Sequence, residues 1–341
     1  MAQKDGLHDG YEERGKINRG VKMREAPMVS VVIPTYNRKD MLKECLKSLF
    51  NQTYPKDKYE IIVVNDGSTD GTEEVLKEYA KKAPCIFKCF SQENKGPSAA
   101  RNLGIEHAKG EIICFTDDDC IADERWIENL VKEFTDEKVG GVGGEIVAYN
   151  PKTLTEKYGN RFNQRERAKE YLLTGNAAYR KDVLDAIGGF DENLRSLEDV
   201  DLGIRVKAKG YELRYTPHAI VFHKHYDSLQ WLMRRQYFLG KMFARLSRKY
   251  IHHFSVKYYL IRWLISLLGT IATLPAGIFK QNRKEHILYE FFSIIIVSSA
   301  IVGLIVGSMT ERYPGRKVSE KLDFLENESI IQIVKRALRR I

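Results

Sequence analysis

Apolar residues along this chain alternate between two periods. Val29-Ser30-Val31-Val32-Ile33 is a β-branched run closed by Pro34, which suits a strand buried on both faces. From Arg38 to Asn51 the apolar positions fall at Met41, Leu42, Cys45, Leu46 and Leu49, the spacing of an amphipathic helix. The cycle repeats: Tyr59 to Val64 as strand, Asn65 to Asp70 as loop, Gly71 to Ala80 as helix, Cys85 to Phe90 as strand, Pro97 to Ala108 as helix. A fourth strand, Glu111 to Thr116, follows the turn signal Lys109-Gly110. Strands alternating with helices of about ten residues predict a parallel, doubly wound α/β sheet.

Beyond Gly140 the pattern is mixed. Val142 to Tyr149 reads as a strand, Leu154 to Glu170 as a polar helix or loop, and Tyr171 to Ala178 as an extended piece. Two late strands are expected at Tyr211 to Arg214 and Ala219 to His223. Near the C-terminus, Phe291 to Met309 is 19 residues without a charge and Trp263 to Phe279 is 17. Such lengths approach the ~20 residues that cross a bilayer core, so a helical transmembrane hairpin is expected, with two buried soluble helices as its rival.

Charge sharpens the membrane reading. The 341 residues carry 55 Lys+Arg against 46 Asp+Glu, a net +9. The excess is concentrated, because Ser228 to Lys284 contains no Asp or Glu at all. A basic block beside apolar stretches points to anionic lipid rather than nucleic acid. The predicted organisation is a flexible polar tail (1–27), an α/β domain (28–227), a basic amphipathic membrane-proximal helix (228–257), two transmembrane helices (258–310) and an amphipathic tail (311–341). No signal peptide is visible, and the α/β domain is expected on the cytosolic side of the cytoplasmic membrane. The loop Lys280 to Glu290, with Lys280, Arg283 and Lys284, conflicts with the positive-inside rule for a full hairpin, so a shallow interfacial hairpin stays open. Five cysteines without CxxC or zinc spacing read as structural thiols.

Candidate chemistry begins at Asp117-Asp118-Asp119, where the fourth strand ends. Two unit charges 4 Å apart repel by roughly 4 kcal/mol at an effective dielectric of 20, so three adjacent carboxylates require solvent, protonation or a cation. A helix N-cap followed by a solvated acidic turn is one reading; a divalent metal site carrying a phosphorylated ligand is the other. No GxGxxG follows the first strand and no GxxxxGK[ST] occurs anywhere, which removes the dinucleotide fingerprint and the P-loop.

Read in order, Val31 to Arg38 (VVIPTYNR), Val63 to Asp70 (VVNDGSTD), Gly96 to Asn102 (GPSAARN), Asp117-Asp118-Asp119, Gly188 to Glu192 (GGFDE) and Glu198 to Leu202 (EDVDL) resemble the family 2 glycosyltransferases across residues 29 to about 225. The resemblance implies a GT-A fold with a Rossmann-like nucleotide-binding half, a nucleotide-sugar donor, Mg²⁺ or Mn²⁺, and inverting single displacement. It places the donor nucleotide at Pro34, Tyr36, Asn37, Arg38, Asp66, Arg101, Asn102 and Asp117. The metal falls to Asp117, Asp119 and His223, with His225 as the weaker match. Asp199 becomes the base, with Glu198 beside it, and Gly175, Asn176 and Asp201 lie on the acceptor side. A carboxylate at Asp66 can accept the N–H of a uracil-type base, which favours UDP-sugars. The bland alternatives are a turn residue at Asp66, a surface salt bridge at Arg101 and an acidic helix start at Glu198-Asp199.

No QxxRW follows the Glu-Asp pair; Arg234-Arg235-Gln236-Tyr237 stands there instead. The resemblance therefore departs from the polymer-synthesising branch, and one sugar per encounter is expected, passed to a glycan or lipid-linked acceptor. A nucleotidyltransferase is the rival enzyme, but it needs a Gly-rich basic loop after the first strand, and Pro34-Thr35-Tyr36-Asn37 is not one. A non-catalytic nucleotide-sugar-binding membrane scaffold is the rival from another class.

Overall fold

The computed structural model describes residues 26–153, 155–156, 170–224, 228–250, 256–273, 283–315 and 317. The expected alternation is present. Strands β1 (Val29–Thr35), β2 (Tyr59–Asn65), β3 (Ile86–Ser91) and β4 (Ile112–Thr116) are joined through helices α1 (Lys39–Phe50), α2 (Thr72–Ala80) and α3 (Pro97–His107). They stand in the order β3-β2-β1-β4, all parallel. Both faces are covered, which explains the unbroken apolar runs. Val29, Val31 and Ile33 pack with Leu42, Leu46 and Leu49 of α1 on one side. Val32 packs with Ala100 and Ile105 of α3 on the other. The period of two along each strand thus feeds two separate cores.

The second half makes the sheet mixed. Strand β5 (Cys120–Ala122) follows the Asp run, helix α4 (Trp126–Val131) comes next, and β6 (Val139–Ala148), β7 (Asn176–Arg180) and β8 (Glu212–His223) complete eight strands in the order β3-β2-β1-β4-β7-β6-β8-β5. Two pairings build the site. Antiparallel β4 and β7 set Thr116 opposite Asn176, and antiparallel β5 and β8 set Cys120 opposite His223. The two expected late strands are one continuous β8, whose pairing with β6 shifts register between Gly143 and Glu145. Three-residue β5 was not foreseen, because so short a strand is defined by its partner rather than by its own pattern. Helices α5 (Lys181–Ile187) and α6 (Glu198–Ala208) fill the chain between β7 and β8.

Three long helices end the described chain: α7 (Leu229–Lys249), α8 (Val256–Thr273) and α9 (Arg283–Thr310). Within α9, Glu290–Thr310 is 21 residues with mean hydropathy 2.3, long and apolar enough to cross a membrane. The apolar part of α8, Trp263–Ala272, is shorter, so of the two expected spans one meets the length test among the described residues. Residues 274–282 and the tail beyond Lys317 lie outside those residues, as do most of the N-terminal tail and His225. Helices α7 and α9 touch backbone to backbone: a Cβ on Gly303 would sit 1.9 Å from the Tyr237 carbonyl oxygen, and one on Gly240 2.2 Å from that of Ala300. Only glycine permits that approach.

Candidate active site

The strand order reverses between β1 and β4, and in open α/β sheets the crevice beyond that point receives ligands. Here the crevice holds the Asp run. The backbone N–H of Cys120 donates to the Asp117 carbonyl at 3.1 Å, closing a turn that fans the three carboxylates apart. Asp117 Oδ1 accepts from Arg101 Nη2 at 2.8 Å. Asp118 turns back beneath β1, accepting from Thr35 Oγ1 at 2.8 Å and Arg38 Nη1 at 3.0 Å. It therefore does not cap the helix near Asp123. Asp119 accepts from the same Arg38 nitrogen at 2.9 Å and lies 3.4 Å from His223 Nε2.

These groups are poorly compensated. Burial pushes both Asp118 and Asp119 up to about 6, against the pull of Arg38. Burial likewise lowers His223 to about 4, with Asp117 opposing and Arg235 and Arg38 assisting, so its imidazole is neutral at pH 7. Arg235 on α7, whose ring partner is Trp231 at 5.7 Å, contributes charge to this field. In the sequence Arg235 stood out only as part of the basic block from Ser228 to Lys284 and of the Arg234-Arg235-Gln236-Tyr237 stretch. Asp119, Cys120 and His223 bring one ligand atom each within 4.8 Å of one another. Cys120 is fully buried with its thiol pushed well above the usual range, burial being the main cause; it offers a neutral S–H, not a thiolate. Carboxylate oxygens and a neutral imidazole with surplus negative charge are the donor set a hard divalent cation takes, and the residues fit such an ion.

The loops on the donor side are laced together. Asn37 sits at φ 53, a left-handed geometry Asn tolerates. Its N–H donates to Ser68 Oγ at 2.9 Å, while Thr69 N–H donates to Asn37 Oδ1 at 2.8 Å. The Asp66 carboxylate accepts from Gln92 Nε2 at 2.7 Å and from the Lys95 and Gly96 N–H groups at 2.9 Å each. It thereby shapes the approach to α3, leaving roughly one of a carboxylate's four acceptor positions open. Pro34 is the next-to-last residue of β1, and Tyr36, just past the strand, is exposed.

Arg101, 3% exposed, joins the two halves. One end of its fork holds Asp117 and the other holds Glu198 Oε1 at 2.8 Å, so it is no surface salt bridge. Asp199 is half-buried, and its Oδ1 accepts from the Val200 N–H at 2.8 Å. Ahead of this pair Leu197 has φ 65, a left-handed conformation that costs an ordinary L-residue about 1–2 kcal/mol. Gly175 borders the same space, since a Cβ there would lie 3.2 Å from Asp117 Oδ2.

Three expected site residues are placed otherwise. Asn102 spends its amide on the Gly188-Gly189-Phe190 turn, donating to Phe190 O at 2.9 Å and Glu192 Oε1 at 3.0 Å and accepting from Phe190 N–H at 2.7 Å. Asn176 is fully buried, bonded to Trp126 Nε1, Glu145 O and Ala219 O. It ties sheet to helix instead of facing an acceptor. Asp201 is fully buried and turned toward the end of α7, accepting from Tyr250 Oη at 2.7 Å and from Arg205 Nε at 2.8 Å. All three side chains are consumed by tertiary bonds, and Asp201 lies in the first turn of α6.

Comparison with known proteins gives the family and the fold. Residues 30–198 match the family described as Glycosyl transferase family 2. Glycosyltransferase AglE of Haloferax volcanii is 34% identical over 221 residues, covering 63% of this chain and 72% of that protein. "Probable glycosyltransferase YdaM" of Bacillus subtilis is 30% identical over 301 residues, covering 80% and 71%. Among solved structures, the mannosyltransferase PcManGT from Pyrobaculum calidifontis, in complex with GDP-Man and Mn²⁺, superposes with a TM-score of 0.56. That match covers 93% of this chain and 82% of the other at 21% identity, a likeness of fold.

Proposed function

Because the chain belongs to glycosyl transferase family 2, we propose that it is a metal-dependent, inverting transferase that moves one sugar per encounter from a nucleotide-sugar donor to a glycan or lipid-linked acceptor at a membrane surface. Its fold is of the GT-A type and it is a glycosyltransferase. The observation that carries the finer reading is the Arg101 bridge between Asp117 and Glu198, which sets a cation-seeking cluster and an acceptor-side carboxylate pair on opposite walls of one crevice. Nucleotidyl transfer gives way to the family assignment.

In this reading the loops carrying Pro34, Tyr36, Asn37 and Arg38 cover the nucleoside, and Asp66 receives the base N–H through its remaining acceptor position, favouring UDP-sugars. Asp117, Asp119 and His223 would hold Mg²⁺ or Mn²⁺, which supplies charge neutralisation for the departing diphosphate. Asp199, beside Glu198 at the start of α6, would take the proton from the acceptor hydroxyl as its oxygen bonds to C1. The bond from C1 to the diphosphate breaks on the opposite face, so configuration inverts. Membrane attachment through α9, with the catalytic domain cytosolic, completes the proposal; the expected basic lipid-facing side of α7 is not retained, because Lys241, Arg245, Arg248 and Lys249 are bonded within the fold. The test is release of nucleoside diphosphate from UDP-, GDP- and dTDP-sugars with Mn²⁺ or EDTA. Release from a UDP-sugar that stops in EDTA is expected; undiminished release in EDTA overturns the metal role, and a GDP-sugar preference overturns the assignment at Asp66.

A further inference from the structure

We infer that the helical C-terminal unit clamps the turn presenting Glu198 and Asp199, and that Lys249 and Tyr250 are positioning residues for sugar transfer. The inference rests on the reading of Asp199 as the base. Lys249 is 6% exposed, and its ammonium pairs with Asp191 Oδ2 at 2.5 Å and with Asp201 Oδ1. Tyr250 Oη donates to the same Asp201 oxygen, and Tyr313 Oη, past the end of α9, donates to Asp191 Oδ2 at 2.5 Å. Arg245 Nη1 donates to the Asn193 carbonyl at 2.9 Å. Bonds from α7 and from the segment after α9 therefore grip both ends of residues 191–201.

An apolar cluster closes the middle. Leu194, Ile204, Leu246 and Tyr250 are buried together, with Leu197 and Val200 packed against them. Leu197 is the residue held left-handed. A strained residue persists where its surroundings over-determine it, and here the surroundings come largely from the helical unit. The Asp201 N–H donates to the Leu197 carbonyl at 3.1 Å, so the first turn of α6 begins at the strained residue and is fixed one turn later by the clamp. Releasing Asp201 would let Leu197 relax and swing the Glu198-Asp199 pair relative to Arg101. The donor loops on β1, β2 and β4 would not move.

The test uses the full chain in detergent, comparing Lys249→Met, Lys249→Arg and Tyr250→Phe with Asp199→Asn. Misplacement of a reacting group by about 1 Å can cost on the order of 10²-fold in rate. Lys249→Met is expected to lower kcat by about that factor with donor KM within about twofold, Lys249→Arg to recover most of it, and Tyr250→Phe to lose about 3- to 10-fold. Rates are taken per active site, from single-turnover amplitude, so a partly unfolded sample does not mimic the effect. Should Lys249→Met fail to fold, Tyr250→Phe decides. Wild-type kcat in a folded Tyr250→Phe, or donor KM rising in step with the loss of kcat, overturns the clamp. If Asp199→Asn itself keeps full turnover, the base assignment has failed and the clamp falls with it; if only the clamp variants are silent, the base assignment stands.

Discussion

Two buried acidic clusters lie on either side of Arg101, built from the same residue type and opposite in behaviour. At the front, Asp117, Asp118, Asp119 and Glu198 share the guanidiniums of Arg38 and Arg101, and His223 adds no charge. Asp118 and Asp119 are pushed up to about 6 by burial. At the back, Asp191 and Asp201 face Lys249 and Arg205, one cation for each anion. There Asp191 is held down at about 2, because its bonds from Lys249 and Tyr313 outweigh its burial. Buried charge is costly unless paired. The balanced cluster is finished by the fold; the surplus at the front is a place for something the chain does not itself supply.

The sharpest way to break this contrast is to remove a carboxylate from each side. Asp119→Ala is expected to cut turnover by at least about 10³-fold, given the usual worth of charge stabilisation at a leaving group, while its thermal midpoint stays level or rises. A drop in midpoint with turnover intact would reverse the assignment. Asp199→Asn is expected to lower kcat by roughly 10²–10⁴-fold with donor affinity unchanged, checked by turnover and by donor titration of the same sample. Asp201→Ala, on the balanced side, leaves Arg205 without its anion and Lys249 with Asp191 alone, and is expected to cost about 3–5 kcal/mol in denaturant unfolding; a loss below about 1 kcal/mol would show the back cluster to be no better balanced than the front.

Acid separates the clusters more gently. Asp118 and Asp119, with raised folded pKa values, take up protons on folding as pH falls from about 6 toward 3.8; His223, lowered to about 4, acts the other way, but two groups against one leave the front a net gain of stability. Asp191 has a depressed pKa: its contribution is complete above 3.8 and is lost as pH falls toward about 2. In EDTA the melting midpoint should therefore rise between pH 7 and 5 and fall below 4. Asp118→Asn should flatten the first limb and Asp191→Asn the second, and a monotonic profile would contradict the pairing. The smallest expected effect is Gly303→Ala, which crowds the Tyr237 carbonyl and should cost about 1–3 kcal/mol, the usual range for overpacking, read by denaturant unfolding.

Much of this architecture is legible in the chain. The parallel half follows from the β-branched runs at Val29, Tyr59 and Ile112, and the Asp run announces itself by its strand-end position. The strand ending at His223 was legible too, while its pairing with β5 was not. What escaped depends on partners far away in sequence. Asn102, Asn176 and Asp201 carry the right residue types at the right spacing, yet Phe190, Trp126 and Tyr250 decide where they point. Lys249 looks like one more cation in a basic block; only the tertiary fold reveals that it is buried against two anions.

The left-handed turn at Leu197 has a consequence in time. Every strand of the sheet precedes Lys224, whereas the residues that grip the turn are made after it, Arg245 to Tyr250 first and Tyr313 only once α8 and α9 are complete. At ~5–20 residues per second, a nascent chain spends seconds with its sheet complete and the Leu197 turn without those contacts. An α/β domain freed from its helices would then be an unfinished enzyme rather than a soluble one, and the order of synthesis would postpone full activity until the apolar helices have been made.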